Sequence, residues 1–263
     1  MSYNLPVDIL LIILDHVDEA DLVTVCQVNK VCCSCSQDIL YRNICVQTFP
    51  QLQAVCRTLA LSTHLARGVR SFSVGATTTI YEFPETIVKA LQNMLSLRNL
   101  TMYIQGQSPS NIFDECTFKL DSFACNLLYT ESLQKFINNQ PSLTHVTFHI
   151  PDHCSRAFEA VCLPNLTRVT TWFYHIPYLI PGRPVREVCV FGYPIEANLF
   201  DLSHFSHSTV PIQKLASQYQ LLSHRPVQLL ASTFPSLAHL RINMDFSPSF
   251  NEVRGSLFHF IVG

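Results

Sequence analysis

The chain has 263 residues, of which 48% are hydrophobic and only 14% are charged, whereas globular proteins carry about 25% charged residues. A chain this apolar has enough material for a folded core and is not intrinsically disordered. Its formal net charge is -2, so it lacks the positive excess with which nucleic-acid-binding proteins attract phosphates. Composition therefore favours a folded protein that does not bind nucleic acid.

No uncharged apolar run reaches the 18 residues that predict a transmembrane helix. The apolar stretch 9–14 lies between Asp8 and Asp15 and has no basic residue before it, unlike a secretory signal peptide. We therefore expect a cytoplasmic or nuclear protein without a membrane partner, in which the 11 cysteines are reduced and mostly buried.

The first predicted helix follows Pro6 and runs through the apolar residues up to Leu14. Proline suits a helix start because the N–H that it lacks would have no partner there. Apolar side chains occupy nearly every position of this helix. A helix with that pattern is either buried or covered by a partner.

A second helix is predicted from Asp18 onward, because acidic side chains at 18–21 favour the positive end of a helix. A third runs from Lys30 to Tyr41 or Ile44, and no strand is predicted in this segment. Three short helices cannot hide so much apolar surface, and a unit of about 45 residues rarely folds alone. This predicts docking on another protein; the alternative is a helical hairpin that caps the following domain.

The order of sequence landmarks in this segment resembles an F-box. They are LPVDILLIIL at 5–14, VDEADL at 17–22, CQVNK at 26–30 and ILYR at 39–42. The resemblance implies three helices that dock on the Skp-type adaptor of an SCF-type cullin–RING ubiquitin ligase. The resemblance implies adaptor-binding candidates at positions where family members bury side chains against the adaptor or against their own core. They are Leu5, Pro6, Ile9, Leu10, Ile13, Leu22, Val28 and Cys32. Family members usually carry tryptophan where this chain has Cys32 and Tyr41.

The remaining chain contains an internal repeat. Three stretches share Pro-x-Leu and continue with alternating apolar residues: Pro141–Val146, Pro164–Val169 and Pro235–Leu240. A fourth, Ser96–Leu100, lacks only the proline. Alternation with period two predicts strands that have one buried face.

Weaker copies of this pattern predict further strands at Val69–Val74, Leu120–Leu127, Val185–Val190, Ile212–Leu215 and Leu257–Val262. Helical patterns lie between the strands at Ile87–Leu95, Leu133–Ile137 and Val227–Leu230. A strand and a helix at a step of about 23 residues resemble a degenerate leucine-rich repeat, whose period is 20–29.

The sequence therefore predicts an α/β fold in two parts. A small three-helix F-box at 1–45 is followed by an irregular leucine-rich-repeat-like solenoid with a parallel sheet at 46–263. An irregular α/β domain is the alternative for the second part.

No catalytic or metal motif is evident. The chain lacks phosphate-binding glycine loops, zincin motifs and nucleophile elbows. Three groups lack the paired ligand spacing of zinc sites: Cys26/Cys32/Cys33/Cys35, His149/His153/Cys154 and His204/His207. We expect no catalytic residue, no metal, no cofactor and no enzymatic activity.

The leading hypothesis is a substrate-recognition subunit of an SCF-type ligase, which supplies proximity and no reacting group. Strand alternation places its target-binding candidates on the concave side of the solenoid: His145, Thr147, Arg168, Thr170, Arg241 and Asn243. The alternative is a non-catalytic interaction scaffold with a vestigial F-box.

Overall fold

The computed structural model describes residues 5–80, 85–106, 111–127, 130–149, 162–191, 202–217, 231–242 and 258–261. The chain divides into two compact units, Met1–Leu120 and Asp121–Gly263. The predicted domain boundary near residue 45 falls inside the first unit and stays a prediction. No helix among the described residues is long and apolar enough to cross a membrane.

Three helices open the first unit, as predicted: α1 (Val7–Leu14), α2 (Glu19–Val25) and α3 (Lys30–Leu40). Pro6 directly precedes α1. The side chain of Asn29 accepts a 2.8 Å hydrogen bond from the backbone N–H of Cys32, which satisfies one of the free amides at the start of α3. The buried centre of the three helices is small and consists of Leu14, Leu22 and Cys35.

The predicted extension of the third helix to Tyr41 or Ile44, without a strand, is wrong in part. Helix α3 ends at Leu40, and Asn43–Val46 forms strand β1, which pairs in parallel with Ser71–Val74. Pairing gives these four residues backbone partners and buries Val46. A strand with a single buried position has too little alternation to be detected in the sequence.

The rest of the first unit contains α4 (Phe49–Leu61), α5 (Thr63–Gly68), β2 (Ser71–Ile80), α6 (Glu85–Asn93) and β3 (Asn99–Gly106). Strands β1, β2 and β3 are parallel and lie side by side in chain order. Thr48 and Gln51 form a capping box at the start of α4, and Pro50 lies in its first turn. Helices α4 and α5 were not predicted, although Thr48 and Gln51 were a usable signal for α4.

The described residues of the second unit form six parallel strands in chain order and one antiparallel strand. The parallel strands are β4 (Ser122–Cys125), β5 (His145–Phe148), β6 (Arg168–Trp172), β7 (Glu187–Phe191), β8 (Lys214–Ser217) and β9 (His239–Ile242). Strand β10 (Phe258–Ile261) pairs antiparallel with β9. Helices α7 (Glu131–Asn138), α8 (Ile176–Leu179) and α9 (Ser203–Ser206) and a 3-10 turn at Phe173–His175 lie between strands.

These elements confirm the predicted α/β fold, which is solenoid-like. Each predicted strand copy, weak ones included, overlaps a strand of the structure. The predicted helical patterns at Ile87–Leu95 and Leu133–Ile137 overlap α6 and α7. The pattern at Val227–Leu230 lies outside the described residues.

One backbone contact is repeated at the entry of β2, β3 and β5 to β9. The carbonyl of Thr144 accepts hydrogen bonds from the N–H groups of Thr167 (2.9 Å) and Arg168 (3.0 Å). The carbonyl of Thr167 accepts two from Arg186 and Glu187 in the same way. The Arg42 carbonyl does so for Arg70 and Ser71 in the first unit. Strands therefore begin level with one another although the chain between them varies in length.

The core of the second unit depends on aromatic packing behind the sheet. Phe123 is fully buried, and its ring centroid lies 5.7 Å from that of Phe136 and 6.2 Å from that of Phe148, both edge to face. Such aromatic pairs add stability beyond their buried area.

We expect Phe123→Ala to destabilise the second unit by about 3–5 kcal/mol, because it leaves a cavity and removes both edge-to-face contacts. The only tryptophan of the chain, Trp172, lies in this unit, so its fluorescence reports the unfolding of the unit in urea. Lys135→Ala, at an exposed position of α7, is the control, expected to stay within about 0.5 kcal/mol of wild type. Equal urea midpoints of unfolding for the two variants would contradict the packing of Phe123 against Phe136 and Phe148.

Candidate interaction surfaces

The first surface consists of exposed apolar side chains in the segment that contains the first three helices. Eight large hydrophobic side chains of residues 5–31 are between 44% and 68% exposed. They are Leu5, Val7, Ile9, Ile12, Ile13, Val23, Val28 and Val31, and together they are called the F-box face below. Among the other residues whose burial the structure describes, two large hydrophobics are exposed to this degree or more, Leu61 and Leu95. A concentration of apolar surface of this kind marks an interaction site.

The predicted adaptor-binding residues divide by burial. Leu5, Pro6, Ile9, Ile13 and Val28 are exposed. Leu10 and Cys32 are partly buried, and Leu10 packs against the small core of the three helices.

Leu22 differs from the other predicted adaptor residues, because it is only 1% exposed and packs with Leu14 and Cys35. It therefore holds the helices together and is not part of the F-box face. Sequence reasoning missed Val7, Ile12, Val23 and Val31. The signal was available, since a helix that is apolar at nearly every position cannot bury all of its sides.

The second surface is the side of the second unit's sheet that faces away from its buried residues, called the open face below. Strand register aligns its side chains in two rows across neighbouring strands. The first row is His145, Arg168, Glu187, Lys214 and His239; the second is Thr147, Thr170, Cys189, Ala216 and Arg241. The alternate residues, such as Val146 and Val169, are buried on the other side.

Glu187 forms an ionic bridge in the first row. Arg168 donates to its Oε2 from Nε at 2.6 Å and from Nη2 at 2.6 Å, and Lys214 donates to its Oε1 from Nζ at 2.7 Å. The hydrogen bond from Lys214 and the charge and hydrogen bond of Arg168 lower the pKa of Glu187, against a smaller opposing effect of burial. The bridge holds both cations in place while their side chains stay half exposed.

A groove of about 460 Å³ lies over these rows. It exists because the second row contributes the small side chains of Thr170, Cys189 and Ala216. Within the part of the chain that the structure describes, the charged residues that line it are Arg168, Glu187, Lys214 and Arg241. Three cations against one carboxylate make the groove positive in a chain that is negative overall.

Three predicted target-binding residues, Arg168, Thr170 and Arg241, therefore come together in one groove. His145 and Thr147 lie in the adjacent strand β5 and in the same rows. Asn243 lies outside the described residues. Sequence reasoning missed the further groove residues Glu187, Cys189, Lys214, Ala216 and His239. Alternation in the weak strand copies at 185–190 and 212–215 was the signal for Glu187, Cys189 and Lys214.

Within the described ranges, no three His, Cys, Asp or Glu side chains are grouped so that they could hold a metal ion. The ring of His149 stacks on Phe191 with centroids 4.3 Å apart, whereas His153 and Cys154 lie outside the described residues. The rings of His204 and His207 lie edge to face.

The described thiols with a shifted pKa are all shifted upward, chiefly by burial: Cys26, Cys35, Cys56, Cys116, Cys125 and Cys189. Nucleophilic catalysis by cysteine needs the opposite, a lowered pKa.

Residues 3–47 match the family model described as F-box-like. The match covers the three helices and β1, about a sixth of the chain. F-box domains are protein-interaction domains that generally bind Skp-type adaptors in cullin–RING ligases, and F-box proteins are generally non-catalytic adaptors. No curated protein matches the chain.

The bridge in the first row predicts an effect of pH. A carboxylate whose pKa is lowered in the folded chain stabilises the fold above its usual value of 4.5 and loses this contribution as pH falls through the folded value. We therefore expect Glu187→Gln to lower stability at pH 7 by up to about 1 kcal/mol, since the pair is partly exposed. The difference from wild type should shrink and close as the pH falls from 4.5 through the lowered pKa of folded Glu187, measured by urea unfolding with Trp172 fluorescence. A pH-independent difference would argue against the bridge.

Burial predicts the order in which the thiols react. The pKa of Cys56 and of Cys125 is raised to about 12, so about one thiol in ten thousand is ionised at pH 8. We expect iodoacetamide to label the exposed Cys45 and Cys162 in the folded chain, and to label Cys56 and Cys125 only in urea. Peptide mass spectrometry measures each site. Equal labelling of Cys56 and Cys45 in the folded chain would overturn this assignment.

Proposed function

We propose that this F-box protein is the target-recognition subunit of an SCF-type cullin–RING ubiquitin ligase. The F-box face docks on the Skp-type adaptor, and the solenoid-like region holds a target protein. The observation that supports this proposal is the eight exposed aliphatic side chains within residues 5–31, inside the segment that matches the F-box-like family.

Energetics favour a partner on this face. Burying apolar surface stabilises a complex by about 25 cal/mol per Å², and these side chains are only about half covered in the free chain. The core of these helices has three buried hydrophobic members, which is little for three helices. The free segment is therefore apolar in excess of what it can bury itself, and an adaptor would cover the remainder.

The usual tryptophan of the family is absent at position 32. Cys32 is partly buried, and its backbone N–H donates a hydrogen bond to the side chain of Asn29. Docking in this chain would depend on the aliphatic residues of α1 together with Val28 and Val31.

The chain would contribute proximity rather than chemistry. In such a ligase, a charged ubiquitin-conjugating enzyme is brought near a lysine of the target, and a high effective concentration accelerates transfer. A cytoplasmic or nuclear location is part of this proposal, because the partner ligase and reduced thiols both belong there.

The direct test is adaptor binding by the double variant Ile9→Asp/Ile13→Asp. Both side chains are exposed in the free chain, so the change leaves the fold intact. Each loses about 1.5–3 kcal/mol of apolar burial, so we expect at least a 100-fold weaker Kd for the host's Skp-type adaptor, measured by calorimetry.

Leu61→Asp/Leu95→Asp is the matched control, because both are exposed large hydrophobics outside the F-box face. It should bind the adaptor as wild type does. A folded wild-type chain that ignores the adaptor, or equal binding by the two double variants, would overturn the proposal. The first result would leave a non-catalytic interaction scaffold.

A further inference from the structure

We propose that the groove on the open face binds an acidic segment of the target protein, in extended conformation across strands β6 to β9. This inference rests on the proposed function, in which the solenoid-like region holds a target. It names the chemistry of that target: two or more carboxylates within about five residues.

The cations of the groove are fixed in place before any ligand binds. Arg168 and Lys214 are both held by Glu187, Arg168 through two nitrogens. Each cation keeps further N–H groups for a ligand, and both side chains are half exposed. A carboxylate that binds here does not have to order the two side chains, which lowers the entropic cost of binding.

Arg241 supplies the third cation, one row further along the strands. It is exposed and lies close enough to Cys189 for its charge to act against the raised pKa of that thiol. Among the described residues it takes part in no salt bridge. Its charge is therefore available to a ligand on the open face.

The spacing fits a short extended peptide. Strands lie about 4.8 Å apart, so the first row from Arg168 to His239 spans roughly 14 Å. An extended chain rises about 3.3 Å per residue, so four or five residues cross this distance. Side chains two positions apart point to the same side, so alternate acidic residues would reach successive cations. Thr170, Cys189 and Ala216 leave room beneath for the peptide backbone.

The neighbouring charges support the same ligand. Arg186 is exposed and directly precedes Glu187 at the strand entry. Asp121 is the described carboxylate at the other end of the row, where its charge acts on His145. Single-stranded nucleic acid is less favoured, because binding it uses aromatic side chains on which bases stack, and the described residues that line the groove include no Phe, Tyr or Trp.

The experiment selects peptides from a random 12-residue display library on the immobilised full chain. We expect Asp and Glu to be enriched at least threefold over the starting library, within windows of five residues. The consensus peptide, labelled with fluorescein, then gives a Kd by fluorescence polarisation. Since the attraction is between partly exposed charges, raising the salt from 50 to 300 mM should weaken binding at least tenfold.

Two groove variants test the location. Lys214→Glu/Arg241→Glu should weaken the peptide at least 50-fold, and Arg241→Glu alone should weaken it at least fivefold. The single variant disturbs no salt bridge of the described residues, so it remains informative if the double variant folds poorly. Lys214→Arg, which keeps the charge, should bind nearly as wild type. Arg57→Glu/Lys135→Glu is the matched control, with both residues exposed on helices.

Three results would overturn the proposal: no acidic enrichment, equal peptide binding by the groove and control variants, or tighter binding of a 12-nucleotide single-stranded RNA probe than of the peptide. The same proteins separate this proposal from the proposed function. Groove variants should bind the adaptor normally, and Ile9→Asp/Ile13→Asp should bind the peptide normally. Peptide binding without adaptor binding would refute the ligase role alone, and the reverse would refute the acidic ligand alone.

Discussion

One backbone contact sets the geometry of both units: a carbonyl at the entry of a strand that accepts two N–H groups from the next repeat. Thr144 and Thr167 supply it in the second unit, and Arg42 supplies it in the first. With Asp121, Arg186 and Gln213, which accept in the same way, successive acceptors of the second unit are separated by as few as 19 and as many as 27 residues. Variation in length is absorbed between strands, because register is set again at every entry. The two aligned rows of the open face are the direct consequence.

The first three helices are subject to a different constraint, because few of their side chains are buried in a common core. Leu14, Leu22 and Cys35 form a small buried centre, while eight large aliphatic residues stay exposed on the F-box face. The exposed apolar side chains and the aligned charged side chains of the open face thus belong to different segments of the chain. This separation suits a subunit that binds a ligase with one segment and a target with another.

Much of the fold could be predicted, because most strands show the same alternation of buried and exposed residues. Three copies also carry the Pro-x-Leu motif. Strand β1 could not, since it has only one buried position, Val46. The F-box face could be predicted as apolar, but not which residues are exposed: Leu22 and Ile13 look alike in sequence, and only packing separates them. The groove could not be predicted without the register of the strands, because Lys214 and Arg168 lie far apart in sequence and are brought together only through Glu187.

Hydrogen–deuterium exchange of the full chain, with and without the host's Skp-type adaptor, tests most directly that the F-box face is the ligase-binding segment. The structure predicts that the adaptor slows exchange within residues 5–40 and leaves β5 to β9 unchanged. Slower exchange in β5 to β9 without protection of α1, or no change anywhere at saturating adaptor, would contradict it.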